Sequence, residues 1–214
     1  MERGIIFSTP MVAKLLSGEK TQTRRVIKPQ PHYMEQYGRA TLYWSGCSRT
    51  GLDELISYAP RKIGEVLYVR ETWRETGISK EPYAYKADEE TLNLIGENGE
   101  LLSARYRWKP SIHMHKAVAR IFLKITELKV ERLQSISEDD AIAEGISYER
   151  ALEVGGEYFT PSYHNPDNQY PYLAYKEAFA GLWDSINAKR GYPWESNPWV
   201  WVISFERIEK PEVM

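Results

Sequence analysis

Residues 9–28 read Thr9-Pro10-Met11-Val12-Ala13-Lys14-Leu15-Leu16-Ser17-Gly18-Glu19-Lys20-Thr21-Gln22-Thr23-Arg24-Arg25-Val26-Ile27-Lys28, and their reading decides the fold. Thr9 suits an N-cap and Pro10 the first helical position, where a missing N–H costs nothing. Met11, Val12, Leu15 and Leu16 then recur at helical spacing and give one apolar stripe. Gly18 belongs just past the helix end, because it takes positive φ without a Cβ penalty. The chain therefore turns at Gly18 and enters a strand that ends in Val26-Ile27. In a strand, Thr21, Thr23 and Arg25 share a face, and Lys20 sits at the turn with a stem long enough to bend toward them. A solvated basic strand edge and a polar pocket joining an amine, a hydroxyl and a guanidinium both fit this composition.

Outward from this stretch, Gly4–Ser8 reads as a first strand. Residues 29–60 show breakers and no sustained period, which predicts an irregular insertion with a short hairpin at 41–47. Ile63–Trp73 reads as a strand after a turn glycine, and Tyr83–Ala87 as a short one. Arg70 and Glu71 alternate faces within the first of these. One of them faces inward and needs a partner, for which an Arg70–carboxylate pair is the plain expectation. Residues 88–101 read as a loop, and Pro110 makes 105–114 a connection rather than a central strand. A long strand follows over 118–130, with Ala119, Ile121, Leu123 and Ile125 on one face and Arg120, Phe122 and Lys124 on the other. Ser137 with Asp140 opens a two-turn helix that Gly145 closes, placing Glu144 in its last turn. Residues 147–170 read as a second insertion, and 172–187 as an amphipathic helix. Trp199–Ile208 is the last strand, apolar on both faces through Ile203 and hence central.

The net charge of −2 excludes a wholly electrostatic nucleic-acid binder. Charge is uneven, though: Leu101–Thr126 carries Arg105, Arg107, Lys109, Lys116, Arg120 and Lys124 without an acid, a segment suited to a phosphate or carboxylate. The single cysteine, Cys47, rules out an internal disulfide and leaves a nucleophile without a placed base. No zinc-type spacing, signal peptide or membrane-length apolar run occurs, so a cytoplasmic protein without metal or other cofactor and without membrane partners is expected.

Gly18-x-Lys20-x-x-Thr23-x-Arg25 resembles the G-x-K-x-x-E-x-R signature of the ASCH-domain family, a branch of the PUA-like superfamily. Thr23 stands at its acidic position, as in the members that act as N4-acetylcytidine amidohydrolases. Gly64–Trp73, Trp108–Met114 (around Ser111 and His113) and the Trp183–Asn187 and Asn197–Val202 endings resemble corresponding stretches of phage-type ASCH proteins in the same order. Ala141–Gly145 resembles the segment that carries the acidic catalytic residue. The resemblance implies an α+β fold with a PUA-like mixed or antiparallel β-barrel, short covering helices and long loop insertions, as one domain over 1–214 with insertions near 29–60, 88–101 and 147–170.

For function, the resemblance implies removal of an N4-acyl group from cytidine-type nucleosides without a metal. Lys20 would be the base, Thr23 the nucleophile and Glu144 the acid. Thr21, Arg24, Arg25, Arg70, Trp73, Trp108, Ser111 and His113 are the expected substrate-binding residues, with Trp73, Trp108 or Tyr68 stacking on the pyrimidine. Lys20 acting as a base near neutrality needs a pKa depression worth roughly 4 kcal/mol. Glu144 as the acid needs the opposite, upward shift, and a Lys20–Glu144 salt bridge is expected to reverse both shifts and to count against the hydrolase expectation. The expected partners are a modified nucleoside or nucleotide, and RNA under the alternative of a non-catalytic binding module. Ribonuclease activity is a third reading, and the sequence leaves oligomeric state open.

Overall fold

The computed structural model describes residues 3–36, 39–43, 56–77, 79–80, 82–88, 107–155 and 170–211. Strand β1 (Arg3–Ile6) leads into helix α1 (Thr9–Leu16), which starts one residue earlier than the sequence implies. Ser8 is its N-cap and Pro10 its second residue, a slot where the N–H also has no intrahelical acceptor. Val12 and Leu15 are buried, as the stripe predicts. Gly18 has φ +80° and donates its N–H to the Leu15 carbonyl at 3.3 Å, so the helix ends in a left-handed residue.

Strand β2 (Gln22–Val26) follows. Strands β3 (His32–Gln36) and β4 (Arg39–Tyr43) pair antiparallel, so a regular hairpin stands within the stretch read as irregular, ahead of the expected 41–47. Cys47 lies outside the described residues. Strand β5 (Val66–Arg70) ends earlier than expected. The chain breaks at Glu71-Thr72 and resumes as β6 (Trp73–Glu75), which pairs with β7 (Tyr83–Tyr85). Most of the 88–101 loop lies outside the described residues.

Strand β8 (Phe122–Arg132) precedes helix α2 (Glu138–Ala143). Helix α3 (Tyr148–Gly155) occupies the start of the segment read as an insertion, and α4 (Tyr170–Asn187) is the expected amphipathic helix. Strand β9 (Trp199–Ile208) has the bounds its sequence predicts, and Trp199 to Ile203 are all buried.

The fold is α+β. Five strands form a mixed sheet in the order β1-β5-β8-β9-β2, with β1 parallel to β5, and the β5–β8 and β9–β2 pairs antiparallel. Among the described residues no pairing closes this sheet into a barrel. The chain divides into two compact units. The first comprises residues 1–18, 64–125 and 205–214, and its core joins Trp73, Met114, Val118, Ala119 and Phe122. Phe122 is thus as deeply buried as Leu123, because both faces of β8 are covered there. The second comprises 19–63 and 126–204, with Leu133, Ile136, Ala141, Ile146, Ala178, Phe179, Trp183, Val200 and Val202 packed together.

Within the first unit, Glu71 and not Arg70 is the inward charge. It is 1% exposed and accepts from Arg120 Nε at 3.0 Å and Nη2 at 3.1 Å. Arg120 also grips Asp88 through Nη1 at 2.7 Å and Nη2 at 2.8 Å, and lies 4.0 Å above the Tyr85 ring. Burial pushes the Glu71 carboxyl upward against the pull of Arg120. Arg120 itself is held above its ordinary value, since its bonds to Glu71 and Asp88 outweigh its burial. Arg70 instead donates to the carbonyls of Ser111 (3.2 Å) and Ile112. The sequence pattern placed the charged pair on the neighbouring residue because the strand ends at Arg70, three residues before Trp73, where the alternation was expected to stop.

Gly18→Ala places a Cβ in open space but keeps the left-handed backbone, so it should lower the unfolding free energy by about 1–2 kcal/mol. A urea midpoint equal to the wild type would contradict this account of the turn.

Candidate functional site

The second unit gathers the charged end of β2 around the C-terminus of α2. Helix α2 is closed at both ends by its own sequence. At the start, Ser137 Oγ accepts from the Asp140 N–H at 3.1 Å, and the Asp140 carboxylate reaches back to the Ser137 N–H. At the end, Gly145 (φ +93°) donates to the Ile142 carbonyl at 2.8 Å and Ile146 to the Ala141 carbonyl at 3.2 Å, a Schellman closure. Ile146 and Ala141 are both in the core, which holds the closure in place.

Two carbonyls at that end are then served by the chain leaving Gly18. The Thr21 N–H donates to Ala143 O at 2.8 Å, and Lys20 Nζ donates to Glu144 O at 2.6 Å. Lys20 Nζ also donates to Glu144 Oε2 at 2.8 Å. Lys20 is 2% and Glu144 4% exposed, so this ion pair is buried.

A lysine beside a carboxylate ordinarily keeps its proton more firmly, and the expectation from sequence was that contact would reverse the depression. The balance falls the other way. Burial is the largest influence on the Lys20 amine and lowers it below 10.5. Glu144 opposes this through charge and hydrogen bond, and Arg25 and Arg24 reinforce the lowering. Removing an ammonium from water costs several kcal/mol, which one neighbouring carboxylate does not recover.

Arg24 fixes the other side of Glu144. Its side chain is fully enclosed. Nη1 donates to Gln22 Oε1 at 2.6 Å and reaches Glu144 Oε1 at 3.5 Å. Nη2 donates to Asp140 Oδ2 at 2.9 Å and lies 3.5 Å from Glu131 Oε2. Nε is buried without a hydrogen-bond partner among the described residues. Burial alone would raise the Asp140 carboxyl, but the Arg24 charge together with hydrogen bonds from Gln22, the Ser137 N–H and Arg24 outweighs it and holds the group below its ordinary value. The Arg24 fork, expected to bind substrate, is thus occupied by protein acceptors.

The strand ladder puts Thr23 and Arg25 on the face opposite Gln22 and Arg24, since Thr23 pairs with Ile203 and Arg24 with Val202. Thr23 is buried, and Thr21 is exposed and precedes the strand. Arg25 is half-buried. Burial lowers its guanidinium, Glu144 acts against this, and the charges of Arg190 and Arg61 add to the lowering.

The structure therefore brings Lys20, Arg24 and Glu144 into contact, with Arg25 in the same field. The remaining expected residues belong to the first unit. There Arg70 fastens the 3₁₀ turn Ser111–His113 through its carbonyls, with Ser111 half-buried and His113 exposed. Trp73 is buried, with Lys109 Nζ 4.6 Å above its ring. Half-buried Trp108 faces the guanidinium of buried Arg74 at 4.5 Å. Among the described residues no group of three or more His, Cys, Asp or Glu stands together as a metal site, and no helix is long and apolar enough to cross a membrane.

Gln22, Glu131 and Asp140 complete the charged cluster and were not anticipated. The available signal was parity: Lys20, Gln22 and Arg24 alternate with Thr21, Thr23 and Arg25, so two polar faces were present and only one was followed.

No family model matches the chain, and no curated protein does. Among solved structures it is similar to the crystal structure of protein EF3133 from Enterococcus faecalis V583, of the family DUF984. Identity is 10% and the TM-score 0.41, over 98% of this chain and 77% of that one.

Lys20→Met strands Glu144 as a buried carboxylate and should cost about 3–5 kcal/mol of stability, whereas Lys20→Met/Glu144→Leu should recover much of it. Additive losses in chemical denaturation would contradict the pairing. The sign with pH also follows. Because burial depresses the folded-state Lys20 below 10.5, the unfolded chain binds more protons between those two values. Wild-type stability relative to Lys20→Met should therefore rise with pH across that window, and a relative fall would refute the depression.

Proposed function

We propose that this chain is an amidohydrolase that removes an N4-acyl group from a cytidine-type nucleoside or nucleotide. The observation that carries the reading is the buried Lys20 amine, depressed by desolvation while touching a carboxylate that is itself held by Arg24. An amine that releases its proton more readily than a free lysine, set 2.8 Å from a carboxyl group, is the equipment for moving one proton on and another off in a single turnover. The resemblance to the ASCH family and to the PUA-like barrel supplies the substrate class. It also supplies Thr23, buried three residues beyond Lys20, as the nucleophile.

In this scheme the proton of the ion pair first passes from Lys20 to Glu144, and the neutral amine then takes the Thr23 hydroxyl proton as Oγ attacks the acyl carbon. The carbon–N4 bond breaks, Glu144 protonates the departing amine, and an acyl-threonine is left. Lys20 passes the proton it took to the Glu144 carboxylate 2.8 Å away and, neutral again, takes a proton from water. The hydroxide attacks the acyl carbon, the carbon–Oγ bond breaks, and the proton on Lys20 goes to Thr23 Oγ, releasing the carboxylic acid. Arg25 is the candidate for stabilising the oxyanion. The scheme uses no metal.

A second reading has its own observation. Lys20 Nζ is engaged by both the carbonyl and the carboxylate of Glu144, which is also what a buried helix cap requires. On that reading the domain binds a modified nucleotide or RNA without chemistry, and ribonuclease activity stands third.

Incubation with N4-acetylcytidine, followed by the spectral change to cytidine, separates these readings. The hydrolase reading expects turnover that survives EDTA, rises with pH as Lys20 loses its proton, and falls at least about 100-fold in Lys20→Ala, Thr23→Ala and Glu144→Gln. Binding without turnover, or a folded Thr23→Ala variant of full activity, would remove the proposed mechanism.

A further inference from the structure

Arg24 stands between an enclosed carboxylate and two open ones. On one side is the Glu144 side chain, 4% exposed; on the other are those of Asp140 and Glu131, at 30% and 29%. The guanidinium spans them, with Nη1 3.5 Å from Glu144 Oε1 and Nη2 donating to Asp140 Oδ2 at 2.9 Å. Asp140 and Glu144 are four residues apart, and Glu144 keeps helical dihedrals (φ −73°, ψ −8°) as the C-cap of α2. They therefore project from one face, where like charges repel unless a cation lies between them. The two oxygens of Glu144 are thereby divided. Oε1 faces Arg24, and Oε2 accepts from Lys20 Nζ at 2.8 Å.

The guanidinium is itself braced. Gln22 Oε1 accepts from Nη1 at 2.6 Å, and Gln22 Nε2 donates to Ser204 Oγ of β9 at 3.3 Å. The Phe179 ring lies 6.0 Å away, and Arg24 pairs with Val202 in the ladder; both residues belong to the core. The Arg24 side chain has no exposure, which leaves no open face of it for a substrate. A buried cation with an unsatisfied Nε is costly, and an apolar residue of similar volume would serve stability as well. What an apolar residue could not do is hold Glu144.

We propose that Arg24 is a positioning residue for the acid–base pair: it holds the Glu144 carboxyl by Oε1 so that Oε2 stays aimed at Lys20, with Asp140 and Gln22 holding Arg24 in turn. The proposal rests on the amidohydrolase reading and replaces the substrate contact expected of Arg24 from sequence. The Arg24 charge also reaches the amine. Burial chiefly favours neutral Lys20, Glu144 opposes it, and the Arg25 and Arg24 charges add to burial.

Steady-state rates on N4-acetylcytidine test this in Arg24→Gln, Arg24→Lys and Asp140→Asn. Positioning predicts that Arg24→Gln loses at least about tenfold in kcat, with KM within about twofold of the wild type. Arg24→Lys keeps a charge but not the fork, and recovers part of that loss. Asp140→Asn keeps the guanidinium and the helix cap and weakens only the hold on Nη2. It should lose at least about threefold in kcat at unchanged KM, and it decides the matter where Arg24→Gln does not fold. A KM raised beyond the twofold range, whatever kcat does, would make Arg24 a substrate contact and overturn the proposal. So would a smaller loss of kcat in the folded variants.

If the wild type does not turn over N4-acetylcytidine, the amidohydrolase reading fails by itself, and an NMR titration of Lys20 decides the placement of Arg24. Loss of the Arg24 charge should move the Lys20 midpoint upward by at least about half a pH unit in Arg24→Gln. Where that variant does not fold, Asp140→Asn frees the Arg24 charge from its carboxylate and should move the midpoint downward. An Arg24 that served stability alone would leave the midpoint where it is, and that result rejects the proposal.

Discussion

A buried amine bonded to the end of a short helix is the constraint on which the second unit turns. Lys20 Nζ meets both the main-chain carbonyl and the carboxylate of Glu144, with less than a twentieth of either residue exposed. A six-residue helix has little stability of its own, because nucleation is costly and few turns follow to offset it. Helix α2 exists because its N-terminus is capped by Ser137, its C-terminus closes over Gly145, and Lys20 and Thr21, just ahead of β2, supply donors to carbonyls at that end. The same contacts carry the amine out of water.

Arg24 makes the arrangement hold. Without it, Glu144, Asp140 and Glu131 would lose the cation that all three approach. With it, the guanidinium lies between Asp140 and Glu144, stacks 6.0 Å from the Phe179 ring, and ties the strand to the helix through side chains more than 100 residues apart. Removing one member of such a cluster leaves a buried charge exposed to the others, which is why buried ion pairs are costly to break even when they contribute little net stability. The first unit repeats the principle with one arginine, Arg120, between Glu71 and Asp88.

Local chemistry made much of this legible. The turn at Gly18, the capped helix from Ser137 to Gly145 and the apolar run of Trp199–Ile208 are each set by residues within a few positions of one another. The convergence of Lys20 with Glu144 was reached through the family resemblance, since no periodicity links positions 124 residues apart. What escaped notice was longer in range or finer in register. The choice between Arg70 and Glu71 depends on where β5 stops. The choice between the Thr23 and Arg24 faces depends on which side of β2 the helix docks against. The direction of the Lys20 shift is a balance between desolvation and attraction that the identity of a neighbour does not settle; burial has to be known, and in this site burial prevails.

The central claim is that the Lys20 amine is easier to deprotonate than a free lysine despite its carboxylate partner. An NMR titration of the lysine Nζ and Cε resonances, with Lys20 assigned through a Lys20→Arg variant, measures this directly. The account predicts a Lys20 midpoint clearly below 10.5. A midpoint at or above that value would mean that Glu144 holds the proton in place and that Lys20 is a structural cap.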